Sequence, residues 1–212
     1  MARKLEEYLP PIREDGINTD KDVTLGGTLA VAGAVTATGG LVGDLTPATT
    51  AAEHGAGAIG TAAAPATKRW TEAGVIITRI TIDLTGLDSS GTENDVIGLD
   101  GGGAAYLGRN VVATNGQIFR VEMSCIEVPL TGDADVILVA GSAADEAFDD
   151  TVANTIAVCD GTGDWALGET IVNDVPGITA NYYYYLTQGA TDDGTYTAGQ
   201  FVITTYGHAL LT

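Results

Sequence analysis

The chain has 212 residues and a formal charge of -19; it is 45% hydrophobic but only 6% aromatic. That is enough apolar material for one sizeable core, and a chain rich in Gly, Thr and Val favours strands and turns over helices. A surface this acidic repels phosphate backbones, which argues against nucleic acid as a partner, and no run approaches the about 20 apolar residues of a membrane-spanning helix.

Residues 1–21, MARKLEEYLPPIREDGINTDK, hold four of the nine basic residues: Arg3, Lys4, Arg13 and Lys21. The opening has two basic residues but no apolar stretch behind them, so it does not read as a secretory signal. The Pro10-Pro11 pair forbids a continuous helix and biases the segment to extended backbone. Leu5, Tyr8, Leu9 and Ile12 supply apolar side chains, so the segment is expected to be an arm that orders on a partner.

Residues 22–45 form the next unit, with the core VTLGGTLAVAGAVTATGGLVGDL. Odd positions are apolar or Gly, and even positions are mostly small or polar. That period of two predicts a strand. Superposed on it is a period of six, with Val23, Leu29, Val35 and Leu41 in one phase and Gly27, Gly33 and Gly39 in another. Glycine-closed hexads of strand residues are the pattern of β-helical and fibre shafts. One copy has no partner for its backbone groups, whereas three copies about an axis do. The expectation is a homotrimeric stem with Val23, Leu25, Leu29, Val31, Val35 and Leu41 facing the axis.

Residues 46–66 are rich in small residues and read as a linker or loosely packed crossover. They contain GAGAIG, Gly55 to Gly60, which matches the dinucleotide fingerprint letter for letter. The fingerprint needs a buried strand before it and a helix after it. TPATTAAEH precedes it and Pro65 follows closely, so no nucleotide site is expected.

Residues 67–212 carry recurrent strand signals separated by Gly/Asp turns. In GVIITRITIDL, Ile76, Thr78, Ile80 and Ile82 share one face. In GQIFRVEMSCIEV, Phe119, Val121, Met123 and Cys125 are expected to face inward. DVIGL, AAYLGRNVVA, ADVILVAG, NTIAVCD, NYYYYLTQG and GQFVITTYGHALL complete the set. A short helix is expected within SAADEAFDDTVAN, capped by Ser142. The whole predicts an all-β protein whose C-terminal domain is a β-sandwich of jelly-roll type.

Chemistry-bearing patterns are sparse. The two histidines, His54 and His208, neighbour no nucleophile or zinc-protease motif, and Cys125 and Cys159 read as buried free thiols with a disulfide left open. Asp133/Asp135, Asp149/Asp150 and Asp192/Asp193 lie in predicted turns, where Asp usually caps the backbone. No catalytic residue, metal site or cofactor is expected. The run Tyr182–Tyr185 should place two rings in the core and two outside.

LGGTLAVAGAVTATGGLVGD resembles the glycine-spaced repeats of tailed-bacteriophage structural proteins, in fibres and capsid-bound appendages. YYYYLTQGATDDGTYTAGQFVITTYG is similar to the C-terminal strands of virion proteins encoded beside a major capsid protein. The resemblance implies a capsid decoration or head-fibre protein, assembled in the host cytoplasm and located on the virion. Its parts would be a capsid-binding arm (1–21), a stem (22–45), a linker (46–66) and a knob (67–212). Arg3 and Lys4 would meet acidic groups of the major capsid protein, with Leu5, Tyr8, Leu9 and Ile12 making apolar contacts. The alternative is a tail-fibre or spike module that binds host-surface glycans.

Overall fold

The computed structural model describes residues 53–161 and 163–208. The arm and stem expected at 1–45 lie outside them. The described chain is all-β, with antiparallel sheets. It comprises β1 (Ala66–Glu72), β2 (Val75–Asp83), β3 (Asp88–Ser90), β4 (Gly108–Arg109), a single-turn helix α1 (Val112–Asn115), and β5 (Gln117–Leu130). β6 (Val136–Gly141), β7 (Ile156–Cys159), β8 (Thr170–Asn173), β9 (Tyr183–Gln188), β10 (Asp193–Thr195) and β11 (Ala198–His208) follow.

One sheet has the order β1-β2-β11-β5-β8 and another the order β4-β9-β6-β7; β3 and β10 pair as a small third sheet. The β1–β2 hairpin turns on Ala73 and Gly74, both at positive φ (48° and 81°), which is the two-residue turn that matches strand twist. Alternation sets the inner face. Ile80 and Ile82 of β2, Val121, Met123 and Cys125 of β5, and Phe201 and Ile203 of β11 are buried. They share one core cluster with Val136, Leu138, Val158, Tyr184 and Leu186 of the four-stranded sheet. Trp165 ties the two together: its ring meets Phe201 edge-on at 5.2 Å, and its Nε1 donates to the Val136 carbonyl at 2.7 Å.

Four sequence expectations need correction. Phe119 does not face inward. Tyr206 pairs with Arg120 and Gly207 with Ile118, so Phe119 is the extra residue of a β-bulge and Ile118 takes the inward place. Second, 142–154 is not a helix. Its backbone is engaged elsewhere: Val96 N–H donates to the Asp150 carbonyl, Ala105 N–H to Glu146, and Ser142 N–H to Ala153. Its Val152 is pulled down against the outer face of the four-stranded sheet beside Val96, Ala105, Val139 and Tyr185. Third, residues 55–60, within the expected linker 46–66, are docked against the fold. Gly55 and Gly57 donate to the Tyr106 and Ala104 carbonyls at 2.8 Å, and a Cβ at Gly57 would lie 2.1 Å from the Gly103 oxygen. Last, strands form where none was expected, at β1, β3, β8 and β10.

Candidate functional site

The four-stranded sheet has both faces covered, one by the core and the other by the segments that carry Val96, Ala105 and Val152. The five-stranded sheet has its inner face in the core and presents its outer face to solvent, the usual arrangement for an antiparallel sheet. That outer face is the candidate site. Cross-strand register lines it up in rows. Trp70, Ile77, Tyr206 and Arg120 form one row across β1, β2, β11 and β5. Lys68, Arg79, Thr204, Glu122 and Val172 form the next, ending on β8.

Aromatic rings and guanidinium groups meet on this face. Arg79 lies over the Trp70 ring at 5.9 Å and Arg120 over Tyr206 at 5.9 Å, within cation–π range. Phe119, brought out by the bulge, stacks on His208 with centroids 4.3 Å apart. With Val75, Ile77 and Tyr206 it lines a shallow hollow of about 470 Å³. Arg120 is fixed by Glu122 at 2.7 Å and by Asp174 at 3.4 Å. The Tyr206 hydroxyl donates to Glu122 at 3.0 Å; burial and that carboxylate push its ionisation upward, so it stays a neutral donor.

Charge is distributed unevenly. The five basic residues between 53 and 208 are Lys68, Arg69, Arg79, Arg109 and Arg120, and all but Arg109 lie on the five-stranded sheet. Lys68 and Arg79 sit directly opposite each other on neighbouring strands, and among the described residues neither has an ion-pair partner. Like charges so placed cost stability, and fold architecture alone does not call for them. Arg69 is committed: it grips Glu53 through both terminal nitrogens and donates to Thr78 from Nε. This pair borders a second hollow of about 290 Å³, which also holds Tyr106, Arg109 and Tyr183.

The other sequence candidates are placed as follows. GAGAIG lies against the backbone at 103–106 and opens no helix beyond the short turn Ala56–Ala58; its glycines serve close backbone approach. Asp133 is fully buried and accepts the Asp135 and Ala190 N–H groups at 2.8 Å each, and Asp150 accepts from Ala147 at 2.8 Å. These carboxylates cap turns. Among the described residues no group of three or more His, Cys, Asp or Glu is arranged to hold a metal ion. Cys125 and Cys159 are buried free thiols. Of the tyrosine run, Tyr184 enters the main core, while Tyr185 is buried under the 142–154 segment with its hydroxyl on the Ala143 carbonyl. Tyr183 is half-buried beneath Arg109. Arg3, Lys4, Leu5, Tyr8, Leu9 and Ile12, and Val23, Leu25, Leu29, Val31, Val35 and Leu41, lie outside the described residues. The aromatic-cationic face was missed from sequence. Its signal was TKRW, the one place after residue 21 where two basic residues adjoin.

The chain matches no protein-family model, no curated protein and no solved structure.

Proposed function

We propose that this chain is a non-enzymatic virion structural protein of the tailed-bacteriophage type. It decorates the capsid exterior as a trimer, through an N-terminal arm that binds the major capsid protein. One observation carries the reading: the sequence places a glycine-spaced hexad segment at 22–45 ahead of an all-β domain of antiparallel sheets whose strand order fits a jelly roll. Taking β2, β4, β5, β6, β7, β8, β9 and β11 as strands one to eight, the sheet orders become 1-8-3-6 and 2-7-4-5. First pairs with eighth, second with seventh, third with sixth and fourth with fifth, all antiparallel. A single long hairpin folded over on itself gives those four pairings, and this supports the jelly-roll reading. β3 and β10 pair within the same ribbon, between its first two rungs.

In this reading binding replaces chemistry. Three arms on one stem engage neighbouring capsid subunits, so individually weak contacts multiply through effective concentration. Binding only the assembled lattice stabilises that lattice by mass action. Light scattering should give three times 21.6 kDa, and labelled antibody should decorate virion heads in electron micrographs. Deleting residues 2–21 should abolish capsid binding and leave a folded trimer. A truncated protein that still decorates heads at full occupancy removes the arm from the proposal.

The second reading is a fibre or spike module for host glycans, and the outer face with Trp70 and Tyr206 favours it. Specific signals on a glycan array that vanish in Trp70→Ala would select this reading over decoration.

A further inference from the structure

We infer that the two edges of the five-stranded sheet are complementary, and that the β1 edge of one copy docks against the β8 edge of the next in a head-to-tail ring. The inference rests on the trimeric reading above and names the surface through which the knobs meet. A cyclic trimer joins two different patches of the same chain, unlike a twofold dimer, which joins one patch to itself. The chain should therefore carry two separate surfaces that fit each other.

The first surface is β1. Among the described residues it is an edge strand, paired only with β2. It presents Trp70, 40% exposed, beneath the Arg79 guanidinium. Lys68 faces Arg79 across the pair with no carboxylate to offset either among the described residues. The like-charge cost is recovered only when an acidic partner arrives.

The second surface is β8, the opposite edge. The strand TIVN contains no Lys, Arg or Pro, the residues that usually keep an edge from pairing with another chain. It is bracketed by Glu169 and Asp174. Around it lie exposed apolar side chains: Leu167 (70%), Val172 (43%) and Val175 (84%). Arg120 holds one Asp174 oxygen at 3.4 Å; the side chain is 71% exposed and its second oxygen faces no described cation. An aromatic anchor with two cations on one edge thus matches an apolar strip with two carboxylates on the other. The buried ring would carry the affinity and the charges the register.

Direction and separation agree with a ring. Four successive antiparallel pairings leave β1 and β8 running the same way, so rotation about an axis along the strands brings them together without reversal. Four inter-strand spacings place the edges roughly 19 Å apart, too far for one copy to satisfy both.

The test uses full-length protein, grown half in ¹⁵N, mixed through unfolding and refolding, then treated with a carbodiimide that joins touching amines and carboxylates. The chain has three lysines, Lys4, Lys21 and Lys68. The expected product links Lys68 to Glu169 or Asp174 in peptides of mixed isotope. Arg79→Glu should cut its yield roughly tenfold, and adding Asp174→Arg in the same chain should restore the Lys68–Glu169 product, the one link that variant can still form. If light scattering gives a trimer but Lys68 joins only its own chain or other acids, this contact is wrong and the trimer stands. Unchanged yield in Arg79→Glu also overturns it. A monomeric mass removes the trimer and this contact together.

Discussion

Trp165→Phe should loosen the acidic edge from the core. Trp165 is 3% exposed and sits four residues before Glu169 and five before β8. Its indole N–H donates to the Val136 carbonyl, and its ring packs edge-on against Phe201 of β11. Phenylalanine keeps part of the ring contact but removes the donor. Orphaning a buried acceptor costs about 1–3 kcal/mol. The missing half of the indole leaves a void of about 40 Å³, worth about 1 kcal/mol. The sum, about 2–4 kcal/mol, corresponds to a fall in Tm of about 4–16 °C for a domain of this size. Far-UV circular dichroism during heating measures it. The variant also leaves Trp70 as the one tryptophan, because the chain has two, so its fluorescence reports the outer sheet face alone. That emission should be blue-shifted below the transition, where the ring lies beneath Arg79 and against the neighbouring copy, and solvent-like above it. A Tm within about 2 °C of the parent would refute Trp165 as the strut between the sheets.

Three further outcomes follow from the same geometry. Gly57→Ala places a Cβ 2.1 Å from the Gly103 carbonyl oxygen, so backbone must move; the expected loss is about 1–3 kcal/mol by denaturant titration, and no loss would mean that 53–60 is not docked. Burial pushes the Asp133 and Asp135 carboxyls above the usual range, and the Asp133 charge adds to the rise at Asp135. The folded chain then holds these protons more tightly than the unfolded one. The resulting stability is fully present below the unfolded pKa of about 4 and is lost as pH rises through the folded values. Tm should therefore fall as pH rises from about 4 through the folded values, with a shallower slope in Asp135→Asn; a Tm that rises over that window contradicts the assignment. Cys125 and Cys159 are almost fully buried, and burial pushes the Cys159 thiol up to about 12. Ellman's reagent at pH 8 should find no thiol in the native protein and two per chain in denaturant. A fast native reaction, or fewer than two after unfolding, would show a different state.

Sequence by itself determined the class and the strongest strands. β2, β5, β6 and β11 are long or densely apolar, and a period of two survives in them because one face must enter a core whatever the neighbours are. The turn role of Asp133 and Asp150 was legible for a similar reason: a short carboxylate closes its own backbone locally. Tertiary structure decided what depends on distant partners. β1, β3, β8 and β10 have weak patterns and exist because β2, β10, β5 and β3 supply their hydrogen bonds. The single-residue bulge that turns Phe119 out and Ile118 in is set by pairing with β11 more than 80 residues away. The local helical preference of 142–154 lost to the N–H donors of Val96 and Ala105, which take its carbonyls, and to a hydrophobic face that needed cover. The opposition of Lys68 and Arg79 is likewise a product of register: eleven positions apart in the chain, they face each other only because the Ala73-Gly74 turn fixes the hairpin.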